Sequence, residues 1–326
     1  MKPNLFKFAT SELSNDAILC WMLEWGNYRN SALYQLSNDL VNAFMGKNRS
    51  NINIESIRIT RQYKHIDILL EINDKYIIVI EDKIDTTEHS NQLQTYKKVI
   101  GEDFKYISDN NKFFIYVKIG DESSYKQIES KGYKVIRRKD ILDVLEKYKD
   151  VENDILGDYY GYLREIDGDV ESYRSTEIIS NWSNRAWQGF YSTLQEEMNI
   201  EKACWQYVNN RRGGFWGFWW NSYEHIYNNE VYYYTYLQIE ETRIAFKVEV
   251  ENKEYQSEIR NHVWSNLKDI IDEIDMKKYK AIKTSFSQGT WMTIAEINDL
   301  TTEQDIRNAM KAAEDLHLRL KDILNK

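Results

Sequence analysis

The sequence predicts a mixed α/β (α+β) protein with two domains, and three features of the chain support this prediction. Apolar runs of strand length alternate with amphipathic segments of helix length along the 326 residues. The length exceeds what one ordinary domain needs. With a single proline, Pro3, and no repeat or low-complexity stretch, any domain boundary must lie within structured chain. We expect a first domain over residues 1–150, a connector over 151–175 and a second domain over 176–326.

Nine elements are predicted in the first domain from apolar periodicity and turn signals. In chain order they are a helix at 11–25, strands at 54–60, 65–72 and 76–84, a helix at 90–100, a strand at 112–118, a short helix at 122–131, a strand at 133–137 and a helix at 140–149. Strands mixed with helices of this length indicate a sheet that is covered by helices.

The second domain is predicted to begin with an amphipathic helix and then to become rich in strands. The connector before it, rich in Asp, Glu, Gly and Tyr, is expected to be helical or irregular. Apolar side chains recur along one side of the helix at Trp187, Phe190, Tyr191 and Leu194. Strands at 204–208, 215–220, 231–240 and 243–251, a helix at 257–274, a strand at 284–297 and a final helix complete the domain. Thr301 and Gln304 suit a capping box for that last helix.

Charge and composition limit the classes of protein that fit. Residues 1–150 contain 23 Lys and Arg against 22 Asp and Glu, and the remainder contains 20 against 30, so balances of +1 and -10 make up the net charge of -9. The second half is therefore a poor non-specific binder of nucleic acid, whereas the first half can still approach phosphates. No apolar run approaches the roughly 20 residues of a membrane-spanning helix, and no apolar signal core is present. Two distant cysteines form no metal or disulfide pattern, so a reduced, cytoplasmic protein is expected.

Three charged residues lie at the ends of very apolar strand segments. Asp67 follows Ile66 in one of these segments, and Glu81 and Lys83 close the next. Buried strand positions normally exclude unpaired charge, so this placement points to a site. Strand alternation puts Glu81 and Lys83 on one face and Asp82 on the other, where Asp82 is expected to be structural or solvent-facing.

The turn at residues 73–75 decides whether Asp67 joins this face. A two-residue loop places Asp67 opposite Ile80, whereas a three-residue loop makes paired residue numbers sum to 148 and places Asp67 opposite Glu81. Opposite side chains in an antiparallel pair have Cβ atoms roughly 5 Å apart. Two carboxylates at that distance can share a divalent cation, and Lys83 can hold an attacking water or stabilise charge on a phosphorane-like transition state.

This constellation resembles the D…(D/E)-x-K signature of the PD-(D/E)xK nuclease superfamily, because thirteen residues separate Asp67 from Glu81 and Lys83 follows two positions later. The predicted order of helix, three strands, helix and strand is similar to the restriction-endonuclease-like αβββαβ core of that family. Glu12 lies on the first helix, where many members place an additional metal-site acid. Gln92 and Tyr96 stand four apart on the next helix and so share a face, like the QxxxY pattern of several branches.

The resemblance covers residues 5–148 and is closest to a bacterial branch that pairs this core with an aromatic C-terminal region. One departure is Ile66, which replaces the proline of the motif. The resemblance implies a metal-dependent nuclease that hydrolyses phosphodiester bonds of DNA or RNA, with DNA favoured, in defence against phage or foreign DNA or in genome maintenance. Many nucleases cut both strands as dimers, so a homodimer is one expected state, and no membrane partner is expected.

The resemblance also implies a role for each residue of the motif. It assigns catalytic roles to Asp67, Glu81, Lys83, Gln92 and Tyr96, and it assigns Mg²⁺, replaceable by Mn²⁺, to Glu12, Asp67 and Glu81. Other interpretations remain open: a buried salt-bridge cluster, or an inactive relative whose nuclease fold binds nucleic acid or a protein partner. Glu12 could instead be a first-turn acid favoured by the helix dipole, and Gln92 and Tyr96 could simply pack against each other.

The second half carries a separate signal, since 16 of the 50 residues from 187 to 236 are aromatic. Arg211 and Arg212 precede a run that contains Trp216 and Trp219, and rings beside arginines can stack on unpaired bases or contact a partner. The same rings could form a core or a protein interface. Adjacent strand residues point to opposite faces, so Trp219 and Trp220 can both be core residues only if both faces are covered.

Overall fold

The computed structural model describes residues 3–46, 52–86, 91–199, 203–210, 213–274, 278–285 and 288–325. The protein is mixed α+β, which confirms the predicted fold class, and the chain forms two compact units, Met1–Asp167 and Gly168–Lys326. Within the described ranges, none of the helices combines the length and the apolar character that a bilayer crossing requires.

A five-stranded sheet forms the centre of the first unit. Its strands, adjacent in chain order, are β1 (Ile57–Tyr63), β2 (Ile66–Ile72), β3 (Tyr76–Lys83), β4 (Lys112–Lys118) and β5 (Lys134–Arg137). β1, β2 and β3 pair antiparallel, whereas β3, β4 and β5 are parallel. Parallel neighbours need crossover connections, and helical segments after β3 and β4 provide them. The predicted strands are present, although β1 starts three residues later than expected.

Helices cover both faces of this sheet. They are α1 (Glu12–Glu24), α2 (Tyr34–Met45), α3 (Gln92–Asp103), α4 (Lys126–Ser130), α5 (Arg138–Leu145) and α6 (Asp154–Glu171). α1, α2, α5 and α6 share a core with the face that carries Ile68 and Ile80. α3 packs against the other face, which carries Leu69 and Val79. The sheet is therefore buried on both sides, as its apolar strands require. The predicted start of α3 at residue 90 lies outside the described residues.

One helix of the first unit is absent from the prediction, and another occupies the connector that was expected to be helical or irregular. α2 is absent from the prediction because polar residues interrupt the apolar pattern, yet these residues are buried and bonded: Ser37 donates to the carbonyl of Leu23 at 2.7 Å, and Asn38 Oδ1 accepts the N–H of Ile54 at 2.8 Å. The predicted connector contains α6, and its Tyr159 belongs to the buried core of the first unit. The segment is thus regular structure with an apolar face.

The second unit is built on a six-stranded antiparallel sheet. Its strands are β6 (Cys204–Val208), β7 (Phe215–Tyr227), β8 (Val231–Glu240), β9 (Arg243–Glu249), β10 (Ile282–Lys283) and β11 (Trp291–Ile297). They lie in the order β10, β11, β9, β8, β7, β6. The helices of this unit are α7 (Asn184–Met198), α8 (Gln256–Glu273) and α9 (Glu303–Leu324), and they share a core with one face of the sheet.

Three boundaries in the second unit differ from those predicted. β7 continues to Tyr227, well beyond the predicted end at residue 220. The prediction stopped too early because the register shifts after Trp220, which interrupts the alternation of apolar and polar residues in the sequence. Among the described residues of the strand predicted at 284–297, only Trp291–Ile297 form a strand, which is β11, and the short β10 lies just before the predicted range. The hydroxyl of Thr302 accepts the N–H of Asp305 at 3.1 Å, so Thr302 caps α9 and the predicted capping box of Thr301 and Gln304 is wrong by one position.

A chain of polar side chains, buried at His225, Thr235 and His317, connects β7, β8 and α9. His225 lies with Nδ1 2.9 Å from Oδ1 of Asn325 and with Nε2 2.9 Å from the hydroxyl of Thr235. Nε2 of His317 lies 2.9 Å from the same hydroxyl, and its Nδ1 has no hydrogen-bond partner among the described residues. Burial lowers the pKa of His317 to about 3, and the charges of His225 and Lys321 act in the same direction.

We expect the free energy of unfolding of the second unit to fall as the pH drops from about 6.5 toward about 3. In that window the unfolded chain binds a proton that folded His317 does not, so this stabilisation is complete above the window and lost below it. The expected slope is about 1 kcal/mol per pH unit. Urea unfolding at a series of pH values measures it. His317→Gln cannot titrate and should flatten the slope, whereas an unchanged slope in the variant would assign it to other groups.

Candidate active site

The turn between β2 and β3 places the ends of these two strands side by side. Asn73 and Asp74 have φ angles of 53° and 51°, in the left-handed region that Asn and Asp tolerate. The paired residues run from Ile68 opposite Ile80 down to the turn, with numbers that sum to 148. Of the two turns that the sequence allows, the three-residue turn is therefore the one present.

The backbone pairing ends at Ile68 and Ile80, so it does not include the expected pair of Asp67 and Glu81, and Asp67 reaches the end of β3 through its side chain. Its Oδ2 accepts the backbone N–H of Asp82 at 3.0 Å, and its Oδ1 accepts a hydrogen bond from Nε2 of Gln62 at 3.3 Å. Asp67 is half-buried, whereas Glu81 on the same face is fully buried. The structure thus brings together the two carboxylates that the sequence analysis singled out.

Glu81 and Lys83 form a close ion pair at the end of β3. Nζ of Lys83 lies 2.5 Å from Oε1 of Glu81, while the buried Oε2 has no hydrogen-bond partner among the described residues. Burial raises the pKa of Glu81 to about 8; the charge of Asp67 adds to this effect and Lys83 opposes it. Burial, the largest single effect, would lower the pKa of Lys83, but the bond to Glu81 and the negative charges of Glu81, Asp67 and Glu12 together outweigh burial, so the pKa is raised.

The first helix places a further carboxylate beside this pair. The hydroxyl of Ser11 accepts the N–H of Ser14 at 3.2 Å, so α1 begins at Glu12. Oε2 of Glu12 lies 3.9 Å from Nζ of Lys83, and Oε1 accepts a hydrogen bond from the hydroxyl of Thr86. Glu12 therefore combines the position of a first-turn acid with a place at the candidate site.

Asp16 is an acid of this site that the sequence analysis missed. It follows Glu12 by one helical turn and is 1% exposed, and its Oδ1 has no hydrogen-bond partner in the described part of the chain. Burial raises the pKa of Asp16 to about 7, and Asp67 adds to this effect while Arg61 and Lys83 oppose it. The spacing of four residues from Glu12, which puts both acids on one helix face, was the signal that could have identified it.

Asp82 lies on the opposite face of β3 and is buried. Of the two roles expected for it, the solvent-facing one is therefore wrong and the structural one fits. Its two oxygens accept hydrogen bonds from the amide of Asn15 at 2.8 and 2.9 Å. Oδ1 of Asn15 in turn accepts the hydroxyl of Tyr159 at 2.8 Å. Burial raises the pKa of Asp82 well above its usual range. This chain of bonds joins α1, β3 and α6 directly behind the candidate site.

Gln92 and Tyr96 share a face of α3, as predicted. Nε2 of Gln92 donates to the Tyr96 hydroxyl at 2.6 Å, and that hydroxyl donates to the carbonyl of His65 at 2.5 Å. Burial raises the pKa of Tyr96 to about 12, with contributions from the charges of Glu81 and Asp67. The pair therefore fastens α3 to the start of β2, near the two carboxylates.

Lys118 is a second residue that the sequence analysis missed. It pairs with Lys83 in the register of β3 and β4 and is 1% exposed. Its Nζ lies 2.9 Å from Oε1 of Glu122 and donates to the carbonyl of Thr86, whose hydroxyl contacts Glu12. Lys118 thus supports the segment that holds Glu12 in place. Its sequence signal is a basic residue that closes an apolar strand, as Lys83 does.

The contacts predicted in the second domain fall in different places. Arg211 and Arg212 lie outside the described residues. Trp216 is half-buried against the core on the helix-covered face of β7, with its ring centroid 5.8 Å from that of Trp205. Trp219 lies on the opposite face and lines a cavity.

The residues at the end of β3 suit a divalent cation. Asp67 and Glu81 offer hard oxygen ligands, and the buried Oε2 of Glu81 lacks the partner that a cation would provide. In the described part of the chain, no three His, Cys, Asp or Glu side chains are already gathered as a metal centre. The protein therefore offers a pair of carboxylates, to which backbone, water or substrate oxygens would have to be added.

Comparison with known proteins agrees with this geometry. A sequence model of a family described as the PD-(D/E)XK nuclease superfamily matches residues 3–204, which is more than half of the chain and includes every residue of the candidate site described above in the first unit. Neither the curated proteins nor the solved structures give a match.

Proposed function

Since the chain belongs to the PD-(D/E)XK nuclease superfamily, whose members are generally nucleases, we propose that it hydrolyses phosphodiester bonds with the help of a metal ion, in DNA rather than RNA. The observation that carries this proposal is the convergence of Asp67, Glu81 and Lys83 at the ends of β2 and β3. The proposal includes Mg²⁺, replaceable by Mn²⁺, as the cofactor. It also includes a cytoplasmic homodimer that acts in defence against foreign DNA or in genome maintenance.

Asp67 and Glu81 would hold the cation, with Glu12 as a supporting acid. A bound divalent cation lowers the pKa of its water and neutralises phosphate charge. Lys83 stays protonated at neutral pH, because its pKa is raised, so it acts as a cation and not as a base. Its ammonium group would orient the attacking water and stabilise the negative charge that develops on the phosphate.

Gln92 and Tyr96 would act from α3, which packs against the face of the sheet that carries Asp67 and Glu81. With its pKa raised to about 12, Tyr96 keeps its proton at neutral pH and holds the carbonyl of His65. The pair would position the end of β2, and with it Asp67. We therefore propose a supporting role for both residues in the catalytic site.

The rival function is a nuclease-fold module that binds nucleic acid or a protein without cleavage. The close ion pair between Lys83 and Glu81 favours it, because a carboxylate already bonded to an ammonium group is a weaker metal ligand. The surplus of acids favours the nuclease, because Glu12 and Asp16 lie near the same lysine and a divalent cation would reduce their repulsion.

We expect Mg²⁺ or Mn²⁺ to raise the melting temperature by several degrees, because a ligand present at 100 times its Kd adds about 2.7 kcal/mol to stability. Differential scanning fluorimetry with and without EDTA measures the shift. Glu81→Gln should abolish it, whereas Glu71→Gln, a carboxylate on β2 that pairs with Arg58 at 3.4 Å, should keep it. A wild-type protein that shows no shift would favour the binding module.

Cleavage of single-stranded and double-stranded DNA and RNA, in Mg²⁺, Mn²⁺ or EDTA, tests the function itself. Metal-dependent cutting, faster on DNA than on RNA, would support the proposal. Metal-stabilised protein that cuts none of the four substrates would contradict nuclease activity while leaving the metal site intact.

A further inference from the structure

A cavity of about 770 Å³ lies on the face of the second sheet opposite the core that it shares with the helices. Strand alternation assigns most of its lining to this face: Trp219 of β7 and Tyr236 of β8 line the cavity, while their neighbours Phe218 and Leu237 point into the core. Trp220, a core residue beside the register shift of β7, also contributes to the lining. Cavities of several hundred Å³ are the size of ordinary ligand sites. The face is therefore a candidate binding surface within the second unit.

Aromatic rings from three strands form part of the wall. Trp219 and Tyr236 are half-buried, and Trp291 of β11 is 64% exposed. Large rings that remain accessible around a concavity offer flat surfaces on which another ring can stack.

Polar groups form the floor, and two of them are more than nine-tenths buried. Gln238 is 6% and Glu240 is 7% exposed, and Nε2 of Gln238 donates to Oε1 of Glu240 at 3.3 Å. Lys247 donates to the hydroxyl of Thr293 at 2.9 Å, and burial lowers its pKa. Burial of polar groups costs free energy unless they form hydrogen bonds. At the base of this cavity, the same groups offer both hydrogen-bond donors and acceptors to a bound ligand.

The charges of the floor argue against an anionic ligand. Lys247 lies 3.6 Å from Glu240, and Arg243 contacts Glu240 and, at 3.2 Å, Glu296, so both cations are already paired. Glu249 adds a further carboxylate to the lining. A phosphate group would meet this acidic floor, whereas an uncharged ring with hydrogen-bonding edges would not be repelled.

We propose that this cavity binds an unpaired nucleobase, stacked on Trp219 and hydrogen-bonded at its edge to the floor, while the phosphates of its strand stay outside. Aromatic walls, an amide and a hydroxyl on the floor and the surplus of carboxylates all favour a neutral planar ring. The choice of a nucleobase among such rings rests on the proposed nuclease function. The site would give the acidic second domain a way to bind single strands without binding phosphates.

Binding of a short labelled single strand to the full-length protein in EDTA tests this proposal without cleavage, with fluorescence anisotropy as the readout. We expect Trp219→Leu to weaken binding about tenfold, in line with the loss of one stacked base, and Trp219→Phe to restore part of it. Tyr232→Leu is the matched control: Tyr232 lies on the same face of β8, 61% exposed, and is not part of the lining.

A strand of the same length with abasic sites separates base binding from backbone binding in the unaltered protein. It should bind the wild type about as weakly as the intact strand binds Trp219→Leu, and free nucleosides should compete with the intact strand. Equal binding of intact and abasic strands, or no binding of single strands, would overturn the proposal. Nuclease activity is measured separately, by cleavage assays. Binding that depends on Trp219, in a protein that shows no cleavage, would support this binding site and contradict the nuclease function.

Discussion

Lys83→Ala is expected to reduce metal-dependent cleavage at least about a hundredfold, the usual cost of removing one preorganised group that stabilises transition-state charge. Lys83 pairs with Glu81 at 2.5 Å, and its ammonium lies on the face that also carries Asp67. Cleavage rates at saturating metal, measured with the best substrate, give the effect. Asp67→Asn should cause a loss of similar size, by weakening the hold on the metal.

The fold should survive the loss of Lys83. The pKa of Glu81 is already raised to about 8, so without the lysine the carboxyl group would be protonated at neutral pH and would not remain as an unpaired buried charge. Lys75→Ala is the matched control, because Lys75 lies in the turn at the far end of the same hairpin and is exposed. Cleavage by Lys83→Ala at the wild-type rate would show that the catalytic centre lies elsewhere.

Gly189→Ala is expected to destabilise the second unit by about 3 kcal/mol or more. A Cβ at this position of α7 would lie 2.1 Å from the carbonyl oxygen of Val170 and 2.9 Å from its carbonyl carbon. Both are backbone atoms, so relief requires the two segments to move apart and the packing of α7 to loosen. Urea or thermal unfolding, followed by tryptophan fluorescence, measures the loss.

Gly168→Ala is the matched control for Gly189→Ala, and we expect it to stabilise the protein. Gly168 lies in α6, and a Cβ there would meet no atom within 4 Å. Alanine should therefore stabilise the protein by roughly 0.5–1 kcal/mol, because it restricts the unfolded chain and favours the helix. Equal stabilities of the two variants would contradict the close approach of α7 to Val170.

The sequence predicted most of the first unit because its central strands are apolar along nearly their whole length. Continuous apolar runs of strand length predicted β2 and β3, but the Asn-Asp pair at the turn allowed two registers, and only the structure shows the three-residue turn that brings Asp67 beside the end of β3. α2 could not be predicted in the same way, since Ser37 and Asn38 interrupt its apolar face and find their partners in segments distant along the chain. Asp16 was missed for a related reason: its burial depends on packing that a single helix does not reveal.

In the second unit, the local sequence pattern did not predict which side chains of β7 face the core. Its strands were predicted from apolar and aromatic runs, but rings occupy both faces of β7, so the sequence could not decide which of Trp216 and Trp219 faces the core. The register shift after Trp220 further obscured the alternation. Only the packing of α7, α8 and α9 on one face makes the distinction.

The bond between Tyr159 and Asn15 spans 144 residues of chain, and this has a consequence for synthesis. A nascent chain that has reached residue 118 already contains Glu12, Asp67, Glu81 and Lys83, together with the strands that carry them. It still lacks the tyrosine that fixes Asn15, and with it the residue that bonds both oxygens of Asp82. Long-range contacts of this kind form late, so the candidate site reaches its final geometry only after α6 has left the ribosome.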